Sequence, residues 1–203
     1  AVVEGGKGER GRPKGPVGIA LIGRPNTGKS SLINMILGAE RMIVSDVPGT
    51  TRDAIDSEIR FRGRGMVIMD TAGLRRKSRI SEKVEEYSIS SALKSIDRAD
   101  VVNLVLDASE GPSHQDAGIA HLVISRGKGL VIVVNKWDLA EGRMTEEQCR
   151  TLVAERIPHA SFAPVVVASA KTGKNVTAVL EMDLKVFNQL NRRIATPRLN
   201  ESL

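Results

Sequence analysis

Gly23-Arg24-Pro25-Asn26-Thr27-Gly28-Lys29-Ser30 decides the reading of this chain. It fills every fixed position of the phosphate-binding loop pattern, G-x-x-x-x-G-K-[ST]. An apolar run, 17–22, stands directly before it, and a helix-like stretch, 29–37, follows. The glycines let such a loop wrap with its backbone N–H groups pointing inward. Those amides and the N-terminus of the next helix bind nucleotide phosphates. Lys29 is expected to reach the β- and γ-phosphates, and Ser30 to hold Mg²⁺. Gly23, Asn26, Thr27, Gly28 and Ser31 complete the expected phosphate site.

Outward from this loop, apolar runs alternate with helical stretches. The runs are 17–22, 66–69, 101–106, 130–134 and 164–168. All but the short 66–69 are continuous runs, as expected for strands covered on both faces. Helices are expected over 29–37, 82–96, 113–125, 145–157 and 176–191. The last places Val176, Val179, Leu180, Leu184, Phe187, Leu190 and Ile194 at a period near 3.6. Residues 58–62 alternate instead, with Ile59 and Phe61 between Glu58, Arg60 and Arg62, and a glycine turn follows. They read as an antiparallel edge strand in a hairpin with 66–70. Arg60, Arg62 and Arg64 share one side of it and read as charges that protect the edge. The whole pattern predicts a three-layer α/β fold with a mostly parallel six-stranded sheet and one antiparallel edge strand.

Composition limits the alternatives. The 203 residues are 41% hydrophobic, enough for one real core, yet only 2% aromatic, so that core must be aliphatic. A single cysteine, Cys149, excludes an internal disulfide framework and a Cys-based zinc site, and reads as packing. His114, His121 and His159 have no metal-ligand spacing. No apolar run approaches the roughly 20 residues of a membrane span, so no membrane partner is expected and a cytoplasmic location is. The net charge of +6 is concentrated at the ends. Residues 1–16 hold four cations against two acids, and 192–203 hold three against one. Residues 1–16 are also rich in Gly and Pro and read as a flexible linker or tail. The chain starts at Ala1, not Met, which is expected of a fragment.

Three further motifs follow in order. Asp70-Thr71-Ala72-Gly73 ends an apolar run about 40 residues beyond the first loop. Asp70 can orient Mg²⁺, and Gly73 lets a backbone N–H approach the γ-phosphate. Asn135-Lys136-Trp137-Asp138 ends the run 130–134. The Asp138 carboxylate can accept from guanine N1–H and its exocyclic amine. Adenine lacks that donor pair and would leave the acid unpaired. Ser169-Ala170-Lys171 matches a final base-contacting loop.

This order of motifs resembles the small GTPases of the translation-factor class over 17–191. Asp46-Val47-Pro48-Gly49-Thr50-Thr51-Arg52-Asp53 is similar to the switch I signature of the Era/TrmE/Der group. The stretches 70–77, 86–88 and 96–101, with Trp137 inside the base motif, resemble the second GTPase domain of the Der (EngA) family. That resemblance implies a GTPase domain over 17–191 that binds GTP or GDP and acts in assembly of the large ribosomal subunit. The implied partners are the large subunit or its rRNA and the other domains of a longer chain. Residues 192–203 would begin the link to a C-terminal KH-like domain. One departure is the leading segment 1–16, which is slightly basic where the family is expected to have an acidic linker.

The resemblance also shapes the expected chemistry. Thr51, or failing that Thr50, is expected to ligate Mg²⁺ with Ser30 and Asp70. Many small GTPases place a water-orienting Gln after the glycine that corresponds to Gly73; here Leu74 stands there and cannot polarise water. Related potassium-activated members hold K⁺ with an Asn at the position of Asn26, which makes K⁺ an expected cofactor. Lys29, Asn26, Thr51 and Gly73 are thus the expected catalytic set. Arg75 and Arg76 read as solvated switch residues that could swing in. Two alternatives stand beside this reading: a nucleotide-gated binding module with negligible hydrolysis, and a TrmE-type GTPase of RNA modification, whose Cys-containing C-terminal motif is absent here.

Overall fold

β1 (Val17–Ile22) is buried at all six positions, as a strand must be when it lies mid-sheet under helices on both faces. A computed structural model describes residues 15–38, 43–45, 56–69 and 89–192. After β1 come α1 (Lys29–Gly38), β2 (Ile43–Ser45), β3 (Ser57–Phe61), β4 (Arg64–Ile68) and α2 (Ile89–Arg98). Then follow β5 (Val101–Asp107), α3 (His114–Ser125), β6 (Gly129–Asn135), α4 (Glu146–Arg156), β7 (Val165–Val167) and α5 (Val176–Leu190).

The sheet order is β2-β3-β4-β1-β5-β6-β7. β4, β1, β5, β6 and β7 pair in parallel. β3 is antiparallel to both of its neighbours. The six expected strands and the single antiparallel one are therefore present, and two details change. The sheet has seven strands, not six, because the three residues of β2 add to β3 with Val44 opposite Ile59. The antiparallel strand is accordingly second from the edge. β3 alternates buried and exposed along its length, as its sequence requires. The turn into β4 takes positive φ at Arg62 (49°) and Gly63 (78°), the left-handed pair that suits the twist of a two-residue hairpin. Arg60, Arg62 and Arg64 do not share one side, since Arg62 lies in that turn. There it pairs with Glu181 of α5 at 2.5 Å.

Alternate strand residues face opposite layers. Val17, Ile19 and Leu21 of β1 pack with Leu32, Ile33 and Ile36 of α1 and with Val179, Leu180 and Phe187 of α5. Ala20 and Ile22 face the other way, with Val102 and Leu104 of β5, Ala120 and Val123 of α3, and Cys149 and Val153 of α4. Burial raises the Cys149 thiol above its ordinary pKa, in keeping with packing rather than reactivity. α3 and α4 each begin with a capping box, Ser113 with Asp116 and Thr145 with Gln148, which satisfies amides that a helix start leaves open. Of the expected helix 82–96, residues 82–88 lie outside the described residues, as do 1–14 and 193–203 of the expected tails. No helix among the described residues is long and apolar enough to cross a membrane.

The buried stripe of α5 differs from the expected one. It runs Val176, Val179, Leu180, Asp183, Val186 and Phe187, while Leu190 is 51% exposed. Asp183 takes a core slot with no exposed surface, and accepts from Asn103 Nδ2 of β5 at 3.1 Å. The other oxygens of this pair, Asp183 Oδ1 and Asn103 Oδ1, are buried without hydrogen-bond partners. Burial pushes the Asp183 carboxyl up to about 7, against the hydrogen bond from Asn103. A protonated acid also supplies a donor inside the pair.

The folded state thus holds a proton that the unfolded chain, at the ordinary 3.8, releases. This contribution is fully present below the unfolded value and is lost as pH rises through the folded one. Denaturant midpoints of the parent should fall between about pH 4 and about pH 7, and Asp183→Asn should flatten that fall. Parallel profiles for the two proteins would show that Asp183 carries no such proton.

Candidate nucleotide-binding site

Loops after β1, β5, β6 and β7 meet at the C-terminal ends of the parallel strands, where open α/β sheets form their crevice. The first of them is the phosphate-binding loop. Gly23 crosses so close to β5 that a Cβ there would collide with the Val105 carbonyl oxygen. Asn26 (φ 63°) and Gly28 (φ 88°) turn the chain through left-handed backbone. The Arg24 carbonyl accepts from Thr27 Oγ1 at 3.0 Å and from Lys29 Nζ at 2.6 Å. α1 then starts at Lys29 with no acid in its first turn. A buried ammonium (3% exposed) at a helix N-terminus free of carboxylates is a seat for an anion. Ser30 follows half-buried, and Ser31 is exposed.

The loop after β6 is held from below. Trp137 is buried at 3% exposure in the aliphatic core, and its backbone N–H donates to the Ala168 carbonyl at 3.0 Å. Lys136 takes φ 60°, which turns the chain out of the strand. Its Nζ lies 2.6 Å from Asp107 Oδ2 at the end of β5. Burial works against the charged form of Asp107, yet hydrogen bonds from Lys136 and Ser109 and the Lys136 charge outweigh it, and its carboxyl stays below the ordinary range. Asp138 Oδ1 accepts from Ser169 Oγ at 2.6 Å, and Ser169 Oγ also accepts from Thr172 N at 3.2 Å.

Asn135 joins these loops. Its Nδ2 donates to the Thr27 carbonyl at 2.8 Å, and its Oδ1 accepts from Ala170 N at 3.0 Å. Gly28 packs so tightly on this amide that a Cβ would collide with Nδ2. The result is one cavity of about 420 Å³, lined by Gly28, Ser31, Asn135, Lys136, Asp138, Leu139, Ala170 and Lys171. Seven of these eight residues were expected from sequence. Leu139, 48% exposed, was not expected; its position directly after Asp138 was the signal for it. Asp107, which orients Lys136, was also not expected, although it is an acid that ends an apolar run.

Thr51, Asp70 and Gly73, with Thr50, Leu74, Arg75 and Arg76, lie outside the described residues. No group of three or more His, Cys, Asp or Glu able to hold a metal occurs among the described residues. Mg²⁺ keeps several waters and draws ligands from substrate phosphates, so it needs few protein donors. The hard hydroxyl of Ser30, one residue past Lys29, fits that demand.

Asn135→Ala should remove both hydrogen bonds and leave the Thr27 carbonyl and the Ala170 N–H without them. Each unmet buried group costs about 1–3 kcal/mol. The melting temperature should drop, and affinity for a nucleotide should drop with it. A variant that melts with the parent would show that the loops hold together without Asn135.

A family model described as "50S ribosome-binding GTPase" matches residues 18–136, from β1 through Lys136. The chain is 52% identical over 186 residues to "GTPase Der" of Caldanaerobacter subterraneus subsp. tengcongensis, covering 91% of this chain and 42% of that protein. It is 50% identical over 194 residues to "GTPase Der" of Pelotomaculum thermopropionicum, covering 93% and 43%. The chain thus spans less than half the length of these curated relatives. Among solved structures it is similar to Era in complex with MgGDPNP and nucleotides 1506–1542 of 16S ribosomal RNA, with a TM-score of 0.60 and 28% identity, over 84% of this chain and 57% of that one. By the match over residues 18–136, the chain belongs to the 50S ribosome-binding GTPase family.

Proposed function

We infer that this chain is a guanine-nucleotide switch domain that hydrolyses GTP to GDP and phosphate. One observation carries the reading: the Asn135 amide ties the loop that bears Lys29 to the loops that bear Asp138 and Ser169, around one cavity. An anion seat and a purine-selective carboxylate are thereby held at a fixed separation. The phosphates bind at the amides of the loop and at Lys29. The base enters the cavity, where the Asp138 carboxylate accepts from guanine N1–H and its exocyclic amine, while Lys136, Leu139 and Ala170 form walls. Water attacks the γ-phosphorus in line and GDP leaves. Lys29 stabilises charge that develops on the phosphate oxygens.

Ser30 would hold Mg²⁺ together with Thr51 and Asp70, and the ion would neutralise phosphate charge. Asn26 would hold K⁺, and that charge would stand where a glutamine is lacking. The domain spans 17–191, with 1–16 as a linker and 192–203 as the start of a link to a KH-like domain. Its 42% share of the Der relatives fits one G domain of a longer protein, and the second G domain is the assignment its motifs favour. Its role is in assembly of the large ribosomal subunit, in the cytoplasm, with that subunit or its rRNA and the rest of the longer chain as partners. The similarity to Der proteins and the family description support this role.

Calorimetric titration tests base choice. Asp138→Asn sets a donor against guanine's donors, and GTP affinity should fall about 100-fold, about 3 kcal/mol, while xanthine nucleotides gain. An unchanged GTP affinity would remove Asp138 from the site.

Turnover in potassium and in sodium at equal ionic strength tests the cation. Potassium should raise the rate, and Asn26→Ala should abolish that gain while GDP binding holds. Equal rates in the two salts would end the potassium reading and leave GTP hydrolysis standing.

A further inference from the structure

Arg24 occupies a variable position of the phosphate-binding loop, yet its side chain reaches three residues beyond β5. Its Nη1 meets Glu110 Oε2 at 2.9 Å, and its Nη2 donates to the Gly111 carbonyl at 3.0 Å. Its Nε lies 2.9 Å from Asp116 Oδ2 as an ion-pair contact without hydrogen-bond alignment. That oxygen already accepts from Ser113 N at 2.9 Å and Ser113 Oγ at 2.7 Å. Asp116 has no exposed surface, so the guanidinium supplies the countercharge that a buried carboxylate requires. Glu110 and Gly111 lie in the turn between β5 and α3, and Asp116 in the first turn of α3. The backbone of the same residue faces the phosphate site: the Arg24 carbonyl is where Lys29 Nζ and Thr27 Oγ1 rest.

We propose that Arg24 is a positioning residue for phosphate chemistry, clamping the phosphate-binding loop to the β5–α3 turn and thereby fixing where the Lys29 ammonium stands. The proposal rests on the GTPase reading above. The clamp is a fork: Nη1 and Nη2 hydrogen-bond to Glu110 and Gly111, which fixes orientation, and Nε adds an ion-pair contact at Asp116. The partner turn is itself rigid. Gly111 N and Glu110 N donate to the Asp107 carbonyl at 2.9 and 3.3 Å, and Ser109 N donates to the Asp107 carboxylate at 2.8 Å. A loop tied to such a turn presents Lys29 without reorganisation when phosphate arrives.

The test compares the parent chain with Arg24→Ala, Arg24→Lys, Glu110→Ala and the Arg24→Ala/Glu110→Ala double variant. Steady-state GTP hydrolysis, GDP and IDP affinities and melting temperatures are measured for each. Arg24→Ala should lower kcat/KM by at least about tenfold, as small misplacements of positioned groups do. The GDP-to-IDP affinity ratio should not move, because the base is held by Asp138. A lysine keeps the charge and loses the fork, so Arg24→Lys should recover part of the loss. The double variant should lose less than the two single losses combined.

Arg24→Ala that melts lower but hydrolyses GTP at the parent kcat/KM would reduce the clamp to a structural ion pair. Fully additive losses would mean that Arg24 acts on the nucleotide without the turn. If Arg24→Ala does not fold, Arg24→Lys decides: parent kcat/KM at the parent melting temperature overturns the proposal, and a lowered kcat/KM at that temperature supports it. A parent chain that binds no guanine nucleotide would overturn the GTPase reading and the clamp with it. A parent that turns over GTP alongside an equally active Arg24→Ala would overturn the clamp alone.

Discussion

Two hydrogen bonds from one buried amide hold the candidate site together. Asn135 is 1% exposed and stands at the end of β6, where its side chain spans to the Thr27 carbonyl and the Ala170 N–H. A parallel sheet delivers its strand ends to one edge but does not fix the loops that leave them. An amide carries both a donor and an acceptor at one end of a short side chain, so it can tie two backbones of opposite need. Aspartate in this place would lack the donor that the Thr27 carbonyl requires, and leucine would satisfy neither partner. The demand extends to Gly28, whose missing Cβ makes room for the same amide. Two motifs that lie more than 100 residues apart are thereby one packing unit.

The parts legible in the sequence share a physical reason. β1, β5 and β6 are buried on both faces, and that burial demands unbroken apolar runs. The phosphate-binding loop was legible because backbone strain and close approach permit only glycine at Gly23 and Gly28. β2 was not legible, because three residues carry no periodicity; it exists through its pairing with β3. Asp183 was hidden for the opposite reason. A charged residue interrupts an apolar stripe on paper, while in the fold its partner is Asn103, 80 residues away and itself inside an apolar run. The Arg24 contacts were hidden too, because a variable motif position gives no sign of partners 86 and 87 residues on.

The charged residues around the site follow one arrangement. Lys136 is paired with Asp107, and Arg24 with Glu110 and Asp116. Arg24 and Lys136 are thus partly neutralised by acids that lie between the end of β5 and the first turn of α3. Lys29 Nζ donates to the Arg24 backbone carbonyl at 2.6 Å. Arg24 spends the charge of its side chain on the scaffold, while its backbone carbonyl is an acceptor for Lys29 Nζ. The first turn of α1 carries no acid, while the first turn of α3 holds Asp116 and that of α4 holds Glu146 and Glu147. Acids strengthen a helix start by satisfying its dipole; at α1 they would occupy the proposed phosphate seat.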